Sequence, residues 1–338
     1  MRHSKKKRSG ETTRKSPVRS KVKKKKPQPS DDLWGKGDKL ITKNIAPIKW
    51  IIDDILPEGL ACFGAKPKAG KSLLVLAFCI AVSKGGKILG KKTRKGESFY
   101  LALEDSERRL QDRLEKMGHR KKEDLANFHY SLNWPQLDLG GYDALDHELE
   151  THPKARLIVI DTWGKICPPT KLGANVYQQD YKDLSRLQSL AMAHHVCILI
   201  VTHLRKAGAD QEIDKISGSA AITGCADTIM IMNKPPQNSI SDHTARLYFT
   251  GRDIDTQEMA LKLQPETLTW TLLGDIREVF VSDELRDVIE VLHAKGEPMS
   301  PTDIAEVLEV KPSTMRVRLK RFFDRNQIRR WKGKYSPK

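Results

Sequence analysis

Short apolar runs recur through the middle of the chain, and most end on a polar or small residue. Residues 60–63, 97–103, 157–160 and 196–201 are four such runs, of a length that suits strands buried on both faces. Between them lie stretches with helical spacing. Residues 72–83 are apolar with no breaker until Gly85. Residues 106–117 place Leu110, Leu114 and Met117 on one face, with Ser106 as N-cap. Residues 143–151 read as a helix, and 177–194 as a longer amphipathic one. Residues 128–132 and 227–232 add two strands. This alternation to about residue 232 predicts an α/β fold with a mostly parallel sheet. Residues 245–249, 259–263 and 268–272 alternate and are turn-linked, which predicts an antiparallel edge. The segment 164–175, with Lys165 and Lys171, reads as a loop, as does the basic stretch 205–215 that opens on Arg205 and Lys206.

The pattern changes near residue 279. Residues 283–293 read as a helix with Leu285, Val288, Ile289 and Leu292 on one face. Ser300 and Pro301 open a second helix, as N-cap and first helical residue, with Ile304, Ala305, Val307 and Leu308 expected to face inward. Lys311-Pro312-Ser313 opens a third helix, holding Met315, Val317, Leu319, Phe322 and Phe323. Residues 328–335 read as a hairpin turning at Lys332-Gly333. Three helices and a basic hairpin resemble a winged helix-turn-helix. Ser313, Thr314, Arg316, Arg318, Lys320 and Arg321 would form its recognition helix, with Arg329, Arg330, Lys332 and Lys334 on the wing. The alternative is a helical protein-interaction module with a solvated basic face. The chain therefore divides into a tail (1–35), an α/β domain (36–278) and a C-terminal domain (279–338).

Charge sharpens this division. The net charge is +17, but residues 1–30 carry +12 and residues 311–338 carry +10, so the middle is slightly acidic. Two basic ends on an ordinary body favour a polyanionic partner, nucleic acid first. The first 30 residues hold runs at 5–8 and 23–26 and almost no large apolar side chain, so they are expected to be disordered. Five scattered cysteines with no C-x-x-C favour buried thiols and a cytoplasmic protein over a disulfide framework or a zinc site. No apolar run is long enough for a membrane span, and no secretory leader is evident.

Candidate chemistry concentrates at residues 59–75, G-L-A-C-F-G-A-K-P-K-A-G-K-S-L-L-V. A strand, a Gly/Pro/Lys turn and a helix start are the context of a phosphate loop, whose backbone N–H groups and helix N-terminus cradle phosphate oxygens. Ala65, Lys66, Pro67, Lys68, Ala69 and Gly70 form that loop; Lys71 reaches the terminal phosphates and Ser72 holds Mg²⁺. The loop departs from G-x-x-x-x-G-K-[ST] at Ala65, where a left-handed backbone would be less comfortable. Glu104 falls at the carboxyl end of one strand, where open α/β sheets place ligands, and fits a water-activating acid. Asp105 fits better as an acid at a helix start. Asp161 ends the run 157–160, and beside a phosphate loop such an Asp can hold the Mg²⁺ shell.

Residues 45–273 resemble RecA-like ATPases of the hexameric plasmid replicative helicase (RepA) type. The matching stretches are G-A-K-P-K-A-G-K-S, F-Y-L-A-L-E-D-S-E-R-R-L-Q-D-R-L, L-I-V-I-D-T-W, V-T-H-L-R-K, G-S-A-A-I and T-G-R-D-I. The resemblance implies a RecA-like P-loop ATPase core using ATP and Mg²⁺, in a homo-oligomeric ring, a hexamer, acting on DNA. It makes Lys71 and Ser72 the phosphate and Mg²⁺ residues, Glu104 the residue that polarises water, and Asp161 the metal acid. His203 resembles the sensor of the γ-phosphate, and Arg252 an arginine finger given to a neighbouring subunit. Lys165, Lys171, Arg205 and Lys206 would line the channel. The expected function is a DNA helicase of a plasmid or mobile element. The alternatives are an ATP-regulated DNA-binding regulator or loader, and a recombination ATPase that coats single strands.

Overall fold

The structure is a computed structural model that describes residues 34–169, 175–204, 216, 220–233 and 243–337. Nearly all of the basic tail, and Lys171, Arg205 and Lys206, lie outside the described residues. Met1–Pro47 forms a unit of its own, in which Gly37–Ile41 is a short exposed helix.

Ile48–Lys338 forms the second unit. Its centre is a nine-stranded sheet. Six strands are parallel: β1 (Gly59–Ala65), β2 (Glu97–Ala102), β3 (Phe128–Ser131), β4 (Ala155–Asp161), β5 (Cys197–His203) and β6 (Thr228–Asn233). The other three, β7 (Thr244–Gly251), β8 (Gln257–Gln264) and β9 (Thr269–Asp275), continue it as an antiparallel edge. The spatial order is β9-β8-β7-β6-β1-β5-β4-β2-β3. The chain thus runs outward from β1 to β3, returns through β4 and β5, and crosses β1 to reach β6. β1 therefore sits at the turning point of strand order, where open α/β sheets bind ligands at their carboxyl ends.

Alternation along each strand feeds two cores. Ala61, Phe63 and Ala65 of β1, Leu157 and Val159 of β4, and Leu199 and Val201 of β5 point to one face. They meet α1 (Lys71–Lys84) through Leu74, Phe78 and Val82, and α2 (Glu107–Lys116) through Leu110. Leu60 and Cys62 of β1, Ile158 and Ile160 of β4, and Ile198 and Ile200 of β5 point to the other. Those are covered by α3 (Gly141–Thr151) and, beyond a short helix α4 (Trp163–Ile166), by α5 (Val176–His194) and α6 (Ala220–Cys225). α1 is apolar almost all round because it is buried almost all round, between the sheet and the β9 edge.

After β9 the chain enters α7 (Ile276–Lys295) directly, then α8 (Pro301–Val307), α9 (Pro312–Asp324) and a hairpin of β10 (Arg329–Trp331) and β11 (Lys334–Ser336). Val288, Leu292, Ile304, Met315, Leu319, Phe322, Ile328 and Tyr335 form a third core. Ser300 caps α8 with a reciprocal Asp303 bond, the capping box. Lys332 and Gly333 turn the hairpin with φ of 43° and 78°, as a tight two-residue turn requires.

Four expectations are corrected. The helix placed at 283–293 begins at Ile276, because nothing breaks the chain after β9. Part of the loop expected at 164–175 is helical, as α4, whose Trp163 and Ile166 are buried. The small residues near 220 make a helix, α6, too short to show a period. Val307 is 58% exposed. It lies about 200° round the helix from Ala305, away from the face that Ile304 and Ala305 bury.

Candidate nucleotide site

β1 delivers Ala65 to the carboxyl edge of the sheet in extended backbone, with its side chain buried. The left-handed turns of the loop fall on Lys68, at φ 61°, and Gly70, at φ 84°. Ala65 therefore never needs the conformation that its departure from glycine put in question. Gly64 is tied to glycine by space: a Cβ there would stand 2.8 Å from Leu204 Cδ2. Gly70 is tied by both conformation and space, since a Cβ would stand 2.7 Å from the ring of Trp270. The Trp270 indole N–H also donates to the Gly70 carbonyl at 3.2 Å. Sequence reasoning missed Trp270; it is 200 residues away and carries no motif.

α1 starts at Lys71 with no side chain capping its N-terminus and no acid in its first turn. Its free N–H groups and positive end are thus left for an anion. Lys71 is only 7% exposed, and among the described residues no carboxylate pairs with it. An ammonium held this way suits phosphate oxygens supplied from outside. Ser72 is half-buried on the same turn.

The neighbouring strand tips add polar groups. His203 ends β5 level with Ala65, and its Nδ1 is buried with no hydrogen-bond partner among the described residues. Asp161 ends β4, is 4% exposed, and accepts a 2.9 Å bond from the Tyr100 hydroxyl. Burial, and then the Asp161 charge, push the Tyr100 hydroxyl well above the usual phenol range, so it stays a donor. Glu104 lies just past β2, and its Oε1 accepts from the Thr162 hydroxyl at 3.0 Å. Asp105 is bound by Arg109 at 2.7 Å and by Arg113, which fits an acid that settles the start of α2. Tyr100 and Thr162 are further positioning groups that the sequence did not flag. Thr162 at least follows Asp161 directly.

Arg252 is elsewhere. β7 runs antiparallel to β6, so its end lies beside the start of β6, at the opposite edge of the sheet from the phosphate loop. There Arg252 donates to Asp227 Oδ1 and to the Gly224 carbonyl, each at 2.9 Å. Asp227 also accepts from the Leu60 N–H and from Gln188. The structure thus brings Ala65 to Ser72, Glu104, Asp161 and His203 to one edge and leaves Arg252 away from it. Lys165 is exposed on α4, which follows Asp161.

The basic groups of the C-terminal domain divide. Arg318 and Arg321 of α9 both bind Glu284 of α7, Arg318 at 3.0 Å. Arg316, Lys320, Arg330 and Lys332 are exposed. Of the expected recognition-helix cations, two are therefore engaged within the domain.

Residues 27–209 match the family described as an AAA domain, more than half of the chain. The chain belongs to that AAA-domain family. Its α/β core with a large, mostly parallel sheet matches RecA-like ATPase folds. It is similar to a DnaB-like replicative helicase solved for its interactions with primase. There the identity is 13% and the TM-score 0.52, over 70% of this chain and 66% of that one. It is also similar to a second solved structure, an isolated ATPase domain, at 14% identity and a TM-score of 0.51, over 64% of this chain and 85% of that one. No curated protein matches the sequence. This AAA-domain chain is accordingly a P-loop ATPase in fold. Among the described residues no helix is long and apolar enough to cross a membrane.

Proposed function

We propose that this chain is an ATP-hydrolysing motor on nucleic acid, a ring-forming DNA helicase of the plasmid replicative type. The observation that carries the reading is the edge where an uncapped helix start and buried Lys71 stand in line with Glu104, Asp161 and His203. Lys71 and the backbone N–H groups of the loop hold the β- and γ-phosphates. Ser72 and Asp161 are hard oxygen donors, the type Mg²⁺ takes, and would hold it; the ion offsets charge on the phosphates. Glu104, oriented by Thr162, positions the attacking water. His203 has a free buried nitrogen through which occupancy of the site can reach the loop that follows β5.

Arg252 cannot serve its own site from the far edge of the sheet. It completes a neighbour's site in a ring, after releasing Asp227. The domain at 279–338 acts as a winged helix, gripping DNA through Arg316, Lys320, Arg330 and Lys332. Lys165, with Lys171, Arg205 and Lys206, lines the channel.

A second reading is favoured by the separate core of the C-terminal domain. In it the chain is an ATP-regulated DNA-binding protein that never unwinds. Unwinding of forked DNA with either tail polarity, beside Glu104→Gln, separates the two. A motor displaces a strand from one polarity of fork, and Glu104→Gln does not. Binding of duplex DNA without displacement on any fork would favour the regulator.

A further inference from the structure

At the far edge of the sheet from β9, three side chains converge outside the nucleotide site: Glu97 at the start of β2, His129 on the edge strand β3, and His152 at the end of α3. One ligand-type atom from each lies within 4.8 Å of the other two. We propose that Glu97, His129 and His152 form a binding site for a divalent transition metal ion of the Zn²⁺ type.

Two observations point beyond a chance cluster. The Nε2 of His129 is buried and has no hydrogen-bond partner. Glu97 Oε1 stands 3.8 Å from it, too far for a hydrogen bond but suited to an ion between them. An unpaired buried nitrogen carries a desolvation cost that a metal ion removes. The second observation is the hold on His152. Its Nδ1 sits 2.9 Å from the Glu148 carbonyl oxygen and 3.1 Å from the Thr151 hydroxyl. An imidazole that donates one N–H to a carbonyl keeps the other nitrogen as a lone-pair donor, as metal-ligating histidines do. His129 is fixed too, stacked on Phe99 at 4.6 Å and 10°.

Two imidazoles and one carboxylate are a Zn²⁺ donor set that leaves a fourth position open. Bonds of about 2.0–2.2 Å at tetrahedral angles put donor atoms roughly 3.3–3.6 Å apart, so small side-chain rotations close the site. Mg²⁺ prefers oxygen donors and would not compete. His129 also lines a cavity of about 320 Å³ with Phe99, Tyr130, Trp134 and Glu148, so an ion there borders a space that can admit a further ligand. The bound ion would tie β2, β3 and α3 together at the open edge of the sheet.

The test uses the full chain, stripped with a chelator and kept free of nucleotide. Zn²⁺ is titrated against a chromophoric chelator, and Co²⁺ binding is followed by visible absorption. The expected result is one Zn²⁺ per chain, with affinity reduced at least about 10-fold in His129→Asn and in His152→Asn. Co²⁺ should give the strong visible bands of a four- or five-coordinate site, lost on adding Zn²⁺. Wild-type affinity in both variants overturns the proposal. So does failure of the wild-type chain to bind, or a weak six-coordinate Co²⁺ spectrum, neither of which depends on a variant folding. In those cases Glu97 and His129 are only a weak surface ion pair.

Discussion

Ala65 and Gly70 carry the residue-scale consequences of the loop. With the left-handed positions at Lys68 and Gly70, Ala65→Gly relieves nothing. It should leave the ATPase rate within about twofold while lowering stability by about 0.5–1 kcal/mol, seen as a lower melting temperature. Gly70→Ala meets both a positive φ and the Trp270 ring, and should lose nucleotide binding in a fluorescent-nucleotide titration. Tyr100→Phe removes the O–H that Asp161 accepts in a buried setting. It should cost about 1–3 kcal/mol in thermal unfolding and raise the Mg²⁺ concentration needed for turnover. Lys71, Ser72 and the strand-end acids were legible because spacing along the chain fixes them. Trp270, Tyr100 and Thr162 were not, because their partners are set by tertiary packing.

Among the elements, α9 shows where periodicity stops being informative. Its apolar stripe of Met315, Leu319 and Phe322 was readable, but not which cations face a sibling helix. Glu284 engages Arg318 and Arg321, while Arg316 and Lys320 are exposed. Arg316→Ala with Lys320→Ala should reduce the salt slope of DNA binding by about 2, one phosphate contact each. Arg318→Ala should leave that slope unchanged and instead cost about 1–3 kcal/mol of stability in a melting experiment. The sheet strands were readable nearly to the residue because each is apolar on both faces and ends sharply. α6 was not, since six small residues show no period.

Across the whole molecule, one sheet separates two functions by its two edges. The phosphate loop, Glu104, Asp161 and His203 share the carboxyl edge of the parallel strands, and Arg252 occupies the opposite one. The order of motifs along the sequence listed both groups but could not say that they stand apart, since that depends on β7 running antiparallel. If Arg252 acts on a neighbour, Arg252→Ala should lower turnover by about 10³-fold or more without loss of ATP binding. Mixing it with Lys71→Ala should then restore part of the activity, because mixed pairs hold one complete interface. Two inactive proteins that stay inactive when mixed, despite assembling together, would place Arg252 outside catalysis. The most direct measurement is ATP hydrolysis by the full chain, with and without single-stranded DNA, beside Glu104→Gln. A nucleic-acid motor should be stimulated by the strand, and Glu104→Gln should bind ATP normally yet turn over at least about 100-fold more slowly. A rate indifferent to DNA, or a Glu104→Gln rate equal to wild type, would contradict it.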